Sequence, residues 1–302
     1  MYARLVAPIA AFVSVLVGLF SPEAVAVKQM TPQEKAAIVV VSGLPAPPGV
    51  GGVLVRRWDS AVVRPRGTLV FVDQEGGKVR AFPTLPPARP PRAYASEKDA
   101  AEQGYLTGRG LRGAGVNVDL APVVDLRDGP LGSRHFESPE FAAAFAAGLE
   151  RGGAAACAKH FPGLGSAGVS TDRSPHVEAT LRPSELRAFR DAIEGGVPCV
   201  MTSHAFYRPL GRFRASLEPA TYRLLRSYGF DGVAITDSLD IVGRSPRYWP
   251  TRAIRAGVDL LLFTSARSAR RAIAQLVPLA RRGELDEHVV RVLRFRSRYL
   301  RS

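Results

Sequence analysis

Short, near-continuously apolar runs recurring along the chain constrain its fold more than any other feature. Eight can be counted, at residues 38–42, 52–55, 68–72, 116–120, 154–158, 198–202, 232–236 and 259–263. They do not alternate with polar residues. Strands buried on both faces have this pattern, which is the signature of a parallel sheet covered by helices. Longer amphipathic stretches separate most of the runs and predict helices over 97–112, 139–152, 183–194, 219–228 and 265–282. Two carry start signals, Ser96 ahead of Glu97 and Pro183-Ser184-Glu185 with an acid close behind the proline. Only a short Pro/Gly segment separates the first two runs, so a helix there is weak or missing. Eight strands alternating with helices in a chain of 302 residues predict an α/β fold, a single-domain (β/α)₈ TIM-like barrel. The competing doubly wound sheet lacks a Gly-x-Gly-x-x-Gly turn after any run. Residues 83–91, rich in proline, read as a rigid surface loop.

The first 26 residues stand apart from this pattern. Arg4 precedes an apolar stretch over 5–20, and Ala24 and Ala26 flank Val25. That is the layout of a secretory signal cleaved after Ala26, leaving the barrel in residues 27–302 and a secreted or extracytoplasmic protein. If uncleaved, the stretch is a membrane anchor, though it falls short of the ~20 apolar residues that span a bilayer. No cysteine follows the cleavage position, so lipid anchoring is not expected. The formal net charge is +14, and removing Arg4 and Glu23 leaves it unchanged. Such a field favours anionic cell-wall polymers or lipid surfaces as partners. The basic residues are mostly scattered arginines without a nucleic-acid-binding motif, so nucleic acid is not expected as a partner. Cys157 and Cys199 both lie in apolar runs, where buried thiols are the common reading; a disulfide in an exported protein stays open. A monomer without cofactor is expected.

In a barrel the chemistry lies at the carboxyl ends of the strands. Four such ends are unusually polar and rich in glycine. The third runs into Asp73-Gln74-Glu75-Gly76-Gly77, and the fourth through Pro122-Val123-Val124-Asp125 to Gly132-Ser133-Arg134-His135. The fifth ends in Lys159-His160-Phe161-Pro162-Gly163, and the seventh in Thr236-Asp237-Ser238. Gly76 and Gly77 serve a tight turn on this reading, His135 a solvated loop, and His204 is equally a satisfied strand-end histidine or a ligand contact.

These segments, in this order, resemble the barrel domain of family 3 glycoside hydrolases, and most of all the single-domain bacterial β-N-acetylhexosaminidases that act on peptidoglycan-derived sugars. Val200-Met201-Thr202-Ser203-His204, Gly229-Phe230-Asp231-Gly232-Val233 and Ala256-Gly257-Val258-Asp259 extend the resemblance, which covers residues 31–280. It implies a retaining mechanism with Asp237 as nucleophile. It also implies Asp73, Arg134, Lys159 and His160 as contacts to the hydroxyls of a carbohydrate substrate, an amino-sugar glycan or peptidoglycan fragment. An Asp at that strand end could instead cap the next helix.

The loop after the fifth strand departs from the family. Relatives continue as Lys-His-Phe-Pro-Gly-His-Gly-Asp and end in Asp-Ser-His, which supplies the acid/base histidine and the Asp that orients it. Leu164 and Ser166 stand at the His and Asp positions here, and the loop ends in Asp172-Arg173-Ser174-Pro175-His176. His176 and Asp172 are the remaining candidates for the proton donor, with His176 preferred because its ordinary pKa suits the role. Two readings follow, an active exported β-glycosidase and a catalytically weak barrel that binds cell-wall glycan. A metal-dependent hydrolase is disfavoured, because His135, His160, His176, His204 and His288 include no pair at ligand spacing.

Overall fold

A computed structural model describes residues 21–59, 63–125, 129–240 and 248–300. Every expected apolar run forms a strand: β1 (Val40–Gly43), β2 (Gly52–Leu54), β3 (Leu69–Val72), β4 (Val118–Asp119), β5 (Ala155–Phe161), β6 (Cys199–Thr202), β7 (Val233–Thr236) and β8 (Leu261–Phe263). All lie parallel in one sheet of order β8-β1-β2-β3-β4-β5-β6-β7. A bridge between Ile235 and Leu260, with Thr236 N donating to Leu260 O at 3.0 Å, joins β7 to β8 and closes the barrel. The strand residues are buried throughout, which is why their sequences carry no alternation.

The helices begin with α1 (Pro22–Gln29) and α2 (Pro32–Ile38) ahead of β1. The outer ring continues with α3 (Glu97–Gly113), α4 (Pro139–Gly152), α5 (Pro183–Glu194), α6 (Pro219–Ser227), α7 (Trp249–Ala256) and α8 (Ala266–Arg281), and α9 (Asp286–Tyr299) ends the described chain. Among the described residues no helix follows β1 or β2. Helix α1 crosses the expected cleavage position at Ala26: it is capped by Ser21, its Glu23 faces Arg294 at 3.8 Å, and its Val27 is buried. Residues 1–20 of the expected signal lie outside the described residues. Among the described residues no helix is long and apolar enough to cross a membrane.

Two sequence features take their meaning from packing. Gly104 and Gly108 on α3 and Gly148 on α4 let the helix backbones touch, since a Cβ at Gly104 would stand 2.2 Å from Phe145 O and one at Gly148 2.3 Å from Ala101 O. Cys157 and Cys199 are register partners on β5 and β6 and form a disulfide inside the core. This replaces the common reading of two buried thiols.

Candidate active site

The end of β3 builds the floor of the mouth. Asp73 stays 41% exposed, while Glu75, two residues on, is 1% exposed. Between them, Gln74 folds inward to hold the Pro-rich loop. Its Nε2 donates to the carbonyls of Phe82, Leu85 and Pro86, and its Oε1 accepts from Phe82 N. Gly76 (φ 108°) and Gly77 (φ 56°) turn the chain as expected, between two short antiparallel strands, Gln74–Gly76 and Val79–Arg80. A Cβ on Gly76 would meet Arg89 O at 2.3 Å, so the same loop also requires a bare backbone there.

Lys159, at the end of β5, is buried and lies between the two acids, its Nζ 2.7 Å from Asp73 Oδ1 and 2.6 Å from Glu75 Oε1. Arg134 grips Glu75 with both prongs, Nε to Oε2 at 2.7 Å and Nη2 to Oε1 at 2.8 Å. Burial by itself would raise the Glu75 carboxyl, but Lys159 and Arg134 hold it down at about 2. Burial would likewise strip Lys159 of its proton; Asp73 and Glu75 instead raise its pKa above the ordinary lysine value. The two cations expected to hold sugar hydroxyls are thus fixed by a carboxylate that the sequence reading quoted but did not assign. An ammonium has three protons, and the two carboxylates take two, so Lys159 retains one for a hydroxyl.

His160 is oriented by another unassigned acid. Asp125 Oδ2 lies 2.7 Å from the His160 Nδ1, and Asp125 Oδ1 accepts from Leu164 N at 2.6 Å. With Nδ1 engaged, Nε2 is the edge available to a ligand. The turn beyond it needs Gly163, whose φ is 120° and whose absent Cβ leaves room for Glu185. Glu185 in turn accepts from Gly165 N at 2.5 Å.

Asp237 stands half-buried at the end of β7. Its Oδ1 accepts from the adjacent Ser238 N at 2.7 Å, one residue on and not the two or three residues on that a capping Asp would reach. Burial pushes its pKa up, but His204, His160, the Ser238 N–H and Lys159 offset this and leave it below the ordinary carboxylate value. Asp237 is therefore an ionised carboxylate in a cationic, partly dry mouth. His204 is the satisfied strand-end histidine, Nδ1 2.7 Å from Ser216 Oγ and Nε2 3.0 Å from Ser238 O, and burial lowers its pKa. His135 is not solvated: it is 1% exposed, with Nδ1 2.9 Å from Phe136 O, because the next residue, Phe136, packs in the core against Tyr94 and Phe145.

Beneath the mouth, Asp119 on β4 is fully buried. Its Oδ1 accepts from Gln74 N at 2.9 Å, and its Oδ2 has no partner among the described residues. Burial raises its pKa from 3.8 to about 8. The folded protein therefore keeps a proton that the unfolded chain releases above 3.8, and stability falls as pH rises from there toward 8. Asp119→Asn retains the acceptor for Gln74 and removes that cost. Thermal melts near pH 5 and pH 8 are expected to show a variant whose advantage over the parent grows toward the alkaline end; a constant difference contradicts the buried neutral carboxyl.

Residues 56–295 match the model of the glycosyl hydrolase family 3 N-terminal domain. The chain belongs to this family. It is 34% identical over 233 residues to a β-hexosaminidase of Stenotrophomonas maltophilia (strain K279a), covering 67% of this chain and 70% of that one. Its fold superposes on M. tuberculosis LpqI with a TM-score of 0.80 at 26% identity, covering 91% and 96% of the two chains. A family 3 β-N-acetylglucosaminidase from Paenibacillus sp. str. FPU-7 gives 0.79 at 25%, over 89% of this chain and 63% of that longer one. The protein is thus a family 3 glycoside hydrolase, acting on O-glycosyl bonds.

The family 3 barrel brings Asp73, Arg134, Lys159, His160 and Asp237 to one mouth and leaves both donor candidates, Asp172 and His176, exposed on the loop after β5. The Asp172 carboxylate acts electrostatically on both Arg134 and His204. His176 turns outward: its side chain is 66% exposed, its ring stacks on Phe206 at 4.6 Å, and its Nε2 lies 3.7 Å from Glu178. The divergent loop has a physical basis. Leu164 is buried with Ala167, Val177, Ala205, Tyr207 and Ala215 in a satellite apolar cluster. Ser166 closes the loop, accepting from Thr180 N at 2.7 Å and donating to Thr180 O at 3.0 Å. Packing and backbone closure thus occupy the two positions where relatives carry His and Asp. Among the described residues no group of His, Cys, Asp and Glu could hold a metal ion.

Proposed function

We propose that this barrel is an exported retaining β-glycosidase, a β-N-acetylhexosaminidase of cell-wall-derived glycan, with Asp237 as its nucleophile. The observation that carries this is the ionised Asp237 beside a hydroxyl-gripping set of Asp73, Lys159 and His160. On this reading Asp73 accepts from a pair of sugar hydroxyls while Lys159 and His160 donate, fixing the ring with its anomeric carbon against Asp237. Asp237 attacks that carbon and forms a glycosyl ester as the leaving oxygen takes a proton; water then attacks from the opposite face, which the leaving group has vacated, gives up a proton and displaces the Asp237 carboxylate, restoring the β configuration. The names of the relatives support an amino sugar as substrate. The core disulfide and the apolar leader support export to an oxidising compartment.

The proton donor is proposed from the loop after β5, where Asp172 and His176 are both exposed; with the His176 ring stacked on Phe206, Asp172 is the one left to turn toward the leaving oxygen. General acid catalysis contributes ~10²–10⁴-fold, most for leaving groups that depart poorly. Asp172→Asn is expected to slow alkyl and sugar glycosides far more than nitrophenyl glycosides, and His176→Ala to slow neither. The reverse pattern returns the role to His176. The apolar packing of Leu164 favours a second reading, a barrel that binds glycan without cutting it efficiently. Proton NMR of hydrolysis separates the two: the proposal requires the β-anomer as first product, whereas bound but uncut glycan supports the second.

A further inference from the structure

Tryptophan is rarely left in water, yet Trp58 is 73% exposed, and it stands on the same end of the barrel as the mouth. It lies in the loop that follows β2, the strand beside β3. Val55 N still donates to Phe71 O at 2.9 Å, so Trp58 is three residues beyond the paired end of one strand and Asp73 two beyond that of its neighbour. The indole is held although it is not buried. The Arg56 guanidinium covers one face at 5.0 Å from the ring centroid. Arg56 is itself locked by Asp59, whose Oδ2 accepts from Arg56 Nε at 3.0 Å and from Arg56 N at 2.9 Å, and Asp59 is 4% exposed. The Arg56 contact holds the ring in place, and the exposed ring offers a flat apolar surface to solvent.

A β-linked N-acetylglucosamine ring carries its substituents equatorially and so presents a layer of axial C–H bonds on each face. That layer is apolar, slightly positive, and of a size to lie on an indole. From this we infer that Trp58 is a stacking platform for a second sugar ring of the same glycan, outside the one held by Asp73, Lys159 and His160. The inference rests on the glycan reading of the mouth and adds to it a preference for oligosaccharides over single-sugar glycosides. The platform is built from one short loop, so it can be altered without touching the mouth.

The chain has two tryptophans, and the other, Trp249, is buried. Trp249 also emits and lies 6.2 Å from the His204 ring, so the part of the emission change that is lost in Trp58→Phe reports on Trp58. In Asp237→Asn protein, which should bind without turnover, chitotetraose is expected to shift and enhance the emission, while methyl N-acetylglucosaminide leaves it unchanged. By calorimetry, adding Trp58→Ala should reduce the preference for chitotetraose over the monosaccharide by about tenfold, and Trp58→Phe should restore most of it. An unchanged preference in Trp58→Ala, with both sugars still bound, overturns the platform and leaves the mouth assignment standing. Failure of the Trp58-containing protein to bind either sugar overturns the glycan reading and the platform with it.

Discussion

Asp237→Asn is expected to fold like the parent and to lose turnover by about 10⁴-fold or more, the scale on which removing a covalent nucleophile acts. The fold should survive because, among the described residues, the side chain accepts one local hydrogen bond, from Ser238 N at 2.7 Å, and an amide oxygen can accept it equally well. Turnover should not, because an amide cannot form or release a glycosyl ester. Binding should also weaken modestly, since His204, His160 and Lys159 would lose the negative charge to which they are now opposed. Rates on chromogenic β-N-acetylglucosaminides, alongside circular dichroism of both proteins, check this. A variant with parental rates removes Asp237 from the chemistry.

The second large effect is expected at Glu75. This carboxylate is 1% exposed and takes Lys159 and both prongs of Arg134; the other carboxylate bonded to Lys159 among the described residues is the half-exposed Asp73. Glu75→Gln leaves two cations in the floor of the mouth facing a neutral amide, and breaking a buried pair in this way costs about 3–5 kcal/mol. The acid side of the stability curve should change as well. A carboxyl held at about 2, against an ordinary 4.5, stabilises the fold fully above pH 4.5 and loses that contribution as pH falls toward 2. The variant should therefore lie below the parent at neutral pH and converge with it in acid. Denaturant unfolding near pH 7 and pH 3 tests this, and a constant difference between the two would contradict the ion-pair account.

Glu75 also shows how far the sequence could be read. All eight strands were legible because strands buried on both faces need uninterrupted apolar side chains, and such runs have few other uses. Five helices were legible from their caps and periodicity. Helix α9 was not recognised, although Val289, Val292, Phe295 and Tyr299 form its buried stripe at helical spacing; Arg291, Arg294, Arg296 and Arg298 between them mask it as a charged tail. At the mouth, Asp73, Arg134, Lys159, His160 and Asp237 were named from the family resemblance, and the barrel carries all five to the same end. Glu75 and Asp125 do not stand out in the sequence, because both are buried and face the side chains of Lys159, Arg134 and His160 and not the open mouth. The signal was available: two cations at one mouth need a counter-charge, and Glu75 lies two residues from Asp73 on an extended segment. His135 was misplaced since a polar residue in a glycine-rich loop says little about which way the loop folds. The course of the 164–178 loop was the least legible, because Leu164 packs into an apolar cluster and the His176 ring lies on Phe206, contacts that no local pattern announces.

The central claim is that Asp237 bonds covalently to the sugar. A fluorinated glycosyl fluoride that forms the intermediate but hydrolyses it slowly should add the mass of one glycosyl unit to the intact protein, and peptide mapping should place it on Asp237. An adduct on another residue, or turnover of ordinary substrate with no trappable adduct, would contradict the account.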